Sequence, residues 1–131
     1  MWNGLDAAVT SRCGVPLGLL TAMRVITTRP GQCRVQEVAD DIGITVGAAS
    51  KVVDRLERAG LARRVPNPAD RRSSLLELTD AGGQTLSDGL QVVDERLRDY
   101  TSHLDAEQIQ TLTAELEQLR DAARRPNPPA G

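Results

Sequence analysis

Residues 65–79 read VPNPADRRSSLLELT, and the fold turns on how this stretch is read. Val65 closes a run, residues 61–65, that can alternate as a strand. Leu61, Arg63 and Val65 then lie on one side, and Ala62 and Arg64 on the other. PNPAD, residues 66–70, supplies turn chemistry, because both prolines fix φ and asparagine and aspartate favour turns. SSLLEL, residues 73–78, returns as a second strand. Near the tip sit two adjacent arginines, Arg71 and Arg72. A chain of net charge −2 has no general need to hold two guanidinium groups on a stiff finger.

Upstream of the hairpin the apolar spacing is helical. Pro16 suits a first turn, and Leu19, Leu20, Met23 and Ile26 follow at helical intervals before Pro30-Gly31. A short second helix places Val35, Val38, Ala39 and Ile42 together and stops at Gly43. Thr45 is the expected N-cap of a third helix that runs to about Arg58, with Gly60 as its stop. In that helix Ala49, Val52, Val53 and Leu56 form one stripe; Gly47, Lys51, Asp54 and Arg58 lie opposite, with Ser50 and Arg55 on the flanks. Helix, turn, helix and then a hairpin is the plan of a winged helix. The expected fold class is mainly α, a winged helix-turn-helix with a two-stranded β-hairpin wing and a helical dimerisation region.

Charge is unevenly spread. Between residues 46 and 72, Lys51, Arg55, Arg58, Arg63, Arg64, Arg71 and Arg72 face Asp54, Glu57 and Asp70, a local balance of +4 that leaves −6 for the rest. A basic block on an acidic body suits a polyanion-binding surface, although a solvated charged face reads the same way.

Downstream, Thr79-Asp80 can start a long helix in which Leu86, Leu90, Val93, Leu97, Tyr100 and Leu104 make an a/d-like seam. DAEQ, residues 105–108, resembles a capping box for a last helix with a second seam at Ile109, Leu112, Leu116 and Leu119. Such seams pack on their own domain or join subunits; two in succession in so short a chain favour subunit contact. Gly82, Gly83 and Gly89 near the start of the long helix are expected to loosen the joint between the DNA-binding lobe and the dimer lobe, since each interior glycine costs ~1 kcal/mol relative to alanine. The end, RRPNPPAG, reads as disordered.

Residues 35–82 closely resemble the MarR family of bacterial transcriptional regulators, carried by VDRLERAGL, the wing NPADRRS and the following LELTDAG in order and at family spacing. The resemblance implies a homodimeric winged helix on a pseudo-palindromic operator, usually a repressor. It implies domains at 1–30 (N-terminal helices), 31–80 (DNA-binding lobe) and 81–124 (C-terminal dimerisation helices), with 125–131 a disordered tail. It places residues 46–55 in the major groove and Arg72 in the minor groove, with Asp70 orienting it. The DNA-binding set is Thr45, Val46, Gly47, Ala48, Ser50, Lys51, Arg55, Arg71 and Arg72. Small residues at the helix start permit close approach but read few base groups, so Ser50, Lys51 and Arg55 are expected to supply most polar contacts. Arg55 could instead be tied to Asp54, Glu57 or the wing. At most one of Arg63 and Arg64 is expected to face phosphate. Asn67 stands where many relatives have aspartate, with little expected from the change.

Many relatives release DNA on binding a small aromatic acid or phenol; here such a pocket would draw on residues 17–23, the start of the long helix and the partner's N-terminus. The effector stays unknown. A thiol-based redox-sensing regulator through Cys13 is an alternative, as is a winged-helix protein–protein module without DNA binding. A sensing thiol needs a lowered pKa, and an inert thiol is the favoured reading of both Cys13 and Cys33. An enzyme is not expected: His103 is the one histidine, and Ser50 and Ser73 have no base partner that spacing identifies. No cofactor or metal is expected. No apolar stretch approaches the ~20 residues of a membrane span and the start does not read as a signal peptide, so the cytoplasm is the default location.

Overall fold

The computed structural model describes residues 2–124, so the tail expected at 125–131 lies outside the described residues. The elements run α1 (Trp2–Cys13), α2 (Leu17–Thr28), α3 (Val35–Ile42), α4 (Val46–Arg58), β1 (Ala62–Pro66), β2 (Ser74–Leu78), α5 (Asp80–Thr101) and α6 (Ala106–Arg124). The architecture is mainly helical with one antiparallel hairpin. The chain forms two compact units, the first running to Glu95 and the second beginning at Arg96. No helix of the described residues is long and apolar enough to cross a membrane.

In the first unit α2 is the hub, packing on α1, α3, α4 and β2. The expected stripe is inside: Leu19, Leu20, Met23 and Ile26 are buried, joined by Ala22 and Val25. Its first turn is held from outside the helix, where the Asp6 carboxylate of α1 accepts the Leu17 backbone N–H at 2.8 Å. That bond satisfies one of the orphan donors at a helix start which Pro16, the residue before it, has no side-chain oxygen to cap. α3 ends at Gly43, whose φ of +79° is a left-handed conformation that glycine adopts without a Cβ penalty. Thr45 then caps α4 as expected, its Oγ1 accepting the Ala48 N–H at 3.1 Å. The wing register pairs Ala62 with Leu78, Arg64 with Leu76 and Pro66 with Ser74. A third partner strengthens β2 on its other edge, for Leu76 N–H donates to the Cys33 carbonyl at 2.7 Å.

Thr79 ties three segments together. Its hydroxyl donates to the Gly60 carbonyl at 2.6 Å, its N–H donates to the Leu61 carbonyl at 3.0 Å, and its Oγ1 accepts the Gly82 N–H at 3.0 Å. The end of α4, the start of β1 and the start of α5 therefore meet at one residue. Two of the three glycines near the start of α5 sit at close approaches to neighbouring segments. A Cβ on Gly82 would lie 1.9 Å from the Leu61 carbonyl oxygen, and one on Gly89 would lie 2.4 Å from Leu20 Cδ1. Both are buried: at Gly82 the Leu61 backbone leaves no room for a side chain, and at Gly89 the Leu20 side chain would have to move to admit one. Gly83 alone faces open space.

The long seam also divides. The inward face of α5 is Gly82, Leu86, Gly89 and Val92, whereas Leu90 and Leu97 of the expected seam are 36 % and 49 % exposed. At ~100° per residue Leu90 lies well round the helix from buried Gly89, so a stripe drawn at spacings of 4 and 3 through Leu90 runs along the margin of the buried face. In the second unit the DAEQ capping box forms as expected: Asp105 accepts the Gln108 N–H at 2.8 Å and Gln108 accepts the Asp105 N–H at 2.9 Å. The α6 seam, Ile109, Leu112, Leu116 and Leu119, stays exposed at 41–65 %.

Candidate nucleic-acid interface

The helix expected to be the recognition element is α4. Its core stripe, Ala49, Val53 and Leu56, is fully buried, which turns Gly47, Ala48, Lys51, Arg55 and Arg58 outward. Val46, at the first turn, is exposed at 46 % although it is apolar. Ser50 is half-buried on the flank. Among the described residues neither Lys51 nor Arg55 nor Arg58 enters an ion pair, so Arg55 is not tied back in the way the sequence left open.

The acids of α4 are taken by a different arginine. Arg64 on β1 reaches both Asp54, at 3.0 Å, and Glu57. Its neighbour Arg63 points to the other side of the strand and pairs with Glu77 across the hairpin at 3.0 Å. The alternation of the two arginines is as the sequence has it, and both are engaged within the protein.

The wing turn is held by side chains that accept from the backbone. Asp70 accepts the Arg72 N–H at 2.9 Å, and its carbonyl accepts the Ser73 N–H at 3.2 Å. Asp70 thus acts on Arg72 through the main chain, fixing the turn from which the guanidinium projects. Asn67 contributes more than expected: its Oδ1 accepts the Ala69 N–H at 3.0 Å and its Nδ2 donates to Ser73 Oγ at 2.9 Å. An aspartate could make the first bond but has no proton to give for the second at neutral pH. Arg71 and Arg72 are exposed, and among the described residues their guanidinium groups make no ion pair. The residues whose engagement sequence reasoning missed are Arg64 and Asn67. For Arg64 the available signal was the pair of acids three residues apart on α4, opposite a strand arginine.

Both thiols have pKa values raised above the ordinary thiol value. Burial raises the Cys13 pKa, the Asp88 carboxylate raises it further, and Arg12 only partly opposes them. Arg12 is itself paired with Glu95 at 2.6 Å. Cys33 is fully buried and its pKa is pushed up to about 11, chiefly by burial. Both shifts oppose the thiolate that a redox sensor needs. The segment expected to line an effector pocket is mostly core, with Leu19, Leu20, Ala22 and Met23 buried. An open groove of about 490 Å³ does touch Leu17, Gly18 and Thr21, with Asp6 and Ile42 beside them.

A sequence profile of the MarR family matches residues 14–73, which spans α2 through the wing turn. The chain belongs to the MarR family. A transcriptional regulatory protein named for the hcr operon of Thauera aromatica is 33 % identical over 113 residues, covering 85 % of this chain and 66 % of that protein. Against the curated MarR relatives it matches, the chain spans between 52 % and 66 % of their length. Solved MarR-family structures share the fold. A mutant MarR of Escherichia coli complexed with operator DNA superposes with a TM-score of 0.75 at 23 % identity, covering 89 % of this chain and 86 % of that one. CouR of Rhodococcus jostii RHA1, bound to p-coumaroyl-CoA, gives 0.81 at 19 % identity, covering 98 % and 87 %. These relatives establish the winged helix-turn-helix reading of the elements described above.

Proposed function

We propose that the chain is a sequence-specific double-stranded DNA-binding transcriptional regulator, acting as a homodimeric repressor that a small aromatic or phenolic effector releases. The observation that carries this reading is the division of the basic residues. Arg63 and Arg64 are consumed by internal ion pairs, whereas Lys51, Arg55, Arg58, Arg71 and Arg72 stand outward without one among the described residues. A protein with 18 acidic side chains to draw on leaves these five uncompensated on the two elements that a winged helix presents to a duplex.

Each element has a chemical task. The start of α4 offers Thr45, Val46, Gly47 and Ala48, small enough for the backbone to enter the major groove; exposed Val46 suits the methyl group of a thymine. Ser50, Lys51 and Arg55 supply polar contacts to base edges and phosphate. Arg72, set by Asp70, enters the minor groove, where a narrow groove concentrates negative potential and a planar, permanently charged guanidinium fits. Arg71 meets the flanking phosphates. Dimerisation through the exposed seams of α5 and α6 would repeat this arrangement on a pseudo-palindromic operator. The effector arm of the proposal is supported by the ligand-bound relative, and the site of action is the cytoplasm.

The experiment is binding of the purified protein to a duplex carrying its own upstream region, across a salt series, with Arg72→Ala in parallel. Log K is expected to fall linearly with log salt, by ~0.9 per phosphate neutralised. Arg72→Ala is expected to cost about 1–3 kcal/mol of binding free energy. A folded protein that binds neither this duplex nor a generic one at low salt sinks the proposal.

A further inference from the structure

We propose that Arg64 is a positioning residue that couples the wing to the recognition helix, a role that rests on the DNA-binding reading above. The geometry is a three-residue clamp. Asp54 and Glu57 are three apart on α4, so their carboxylates share one face. Arg64 enters from β1 and bonds both through the same nitrogen, Nη1. All three side chains are only part-exposed, at 30 % for Arg64, 42 % for Asp54 and 33 % for Glu57. Because Arg64 is paired in register with Leu76 of β2, whatever fixes it fixes the whole hairpin. Leu76 is buried, and its N–H is bonded to the Cys33 carbonyl, so β2 cannot slide to compensate.

The clamp has a second effect on the same helix. Asp54 lies three residues from Lys51 and four from Arg58, the spacings at which helical ion pairs form. With its acids held from the strand, α4 keeps Lys51, Arg55 and Arg58 free to meet phosphate. The angle at which Arg72 reaches the minor groove is then set by the distance from α4 to β1, and Arg64 holds that distance without touching DNA.

This makes an unusual prediction. Asp54→Asn with Glu57→Gln removes two negative charges from a helix that faces a polyanion, which by charge alone tightens binding. If the clamp positions the wing, the same pair of changes weakens binding to the upstream duplex by about ten-fold. Arg64→Gln is expected to lose a similar factor, and all three changes together no more than either set alone, because they break one device. The substitutions are near-isosteric at part-exposed sites, and circular dichroism is used to verify the fold. Tighter binding by the variant that carries Asp54→Asn and Glu57→Gln overturns the proposal. So do additive losses, which would mark Arg64 as a separate phosphate contact, and so does unchanged affinity accompanied only by a lower Tm. Failure of the wild-type protein to bind any duplex removes the DNA-binding reading itself and is distinguishable from each of these.

Discussion

Helices α4 and α6 both carry an apolar stripe at helical spacing, and the structure treats the two in opposite ways. Ala49, Val53 and Leu56 of α4 are fully buried, and what the helix shows outside is Lys51, Arg55 and Arg58. Ile109, Leu112, Leu116 and Leu119 of α6 are all exposed, from 41 % to 65 %. The first surface has finished its apolar packing and holds cations that enter no ion pair among the described residues. The second has satisfied its polar ends, through the Asp105–Gln108 box, and holds leucines with no cover. Under the proposed function each surface would meet a partner of matching chemistry: a polyanion for α4, and an apolar helix face for α6.

The largest effect is expected where that contrast is attacked directly. Fully burying a leucine is worth ~1.5–3 kcal/mol relative to leaving it exposed, and α6 has three together with an isoleucine. Leu112→Glu with Leu116→Glu is therefore expected to convert a dimer to a monomer in sedimentation velocity. Loss of simultaneous contact with two half-sites lowers affinity for a palindromic duplex by about a hundred-fold or more. A wild-type protein that sediments as a monomer at micromolar concentration breaks the comparison, because α6 would then be a bare face with no partner.

Next comes the anchoring of α5, which begins in the first unit and ends in the second. Gly82→Ala places a methyl against the Leu61 carbonyl and is expected to destabilise the fold by about 3 kcal/mol in urea denaturation. Gly83→Ala, one residue on and facing open space, is expected to stabilise it by up to ~1 kcal/mol. Equal effects at the two positions would mean that α5 is not seated against Leu61, and the first unit would lose its claim to be the fully packed one.

These two glycines show where the sequence was silent. Helix spacing, caps and the hairpin were legible because they depend on residues near in the chain: Thr45 caps Ala48, and Pro66, Asn67, Pro68 and Asp70 make their own turn. Gly82 and Gly89 look like helix breakers in sequence, because the carbonyl of Leu61 and the side chain of Leu20 that need their missing Cβ are distant in the chain. Arg64 was hidden for a similar reason. A run of arginines in a basic block reads as uniform, and only the approach of β1 to α4 separates an internal clamp from an outward cation. The family motifs named candidate DNA-facing residues, but not which of the basic ones the fold had already used.

The smallest effect concerns Glu37 at the start of α3, an acid that, like Asp54 and Glu57, pairs with an arginine of the first unit. Its carboxylate accepts from the Arg34 guanidinium, at 2.6 Å, and from the Arg34 backbone N–H, at 2.8 Å. The bond from the Arg34 side chain is the main cause that lowers its pKa below the ordinary carboxylate range, against a smaller opposing effect of burial. A carboxyl whose folded pKa is depressed binds fewer protons folded than unfolded. Its stabilisation is therefore present above the unfolded value and is lost as pH falls through the lower, folded one. Glu37→Gln removes the charge but keeps an acceptor for the Arg34 N–H, so the capping bond survives. At neutral pH the variant is expected to melt a few degrees lower than wild type, and the two melting curves should converge as pH is taken below the carboxylate range. A gap that stays constant with pH would assign the effect to lost packing, and Glu37 would no longer count among the acids that the first unit holds by charge.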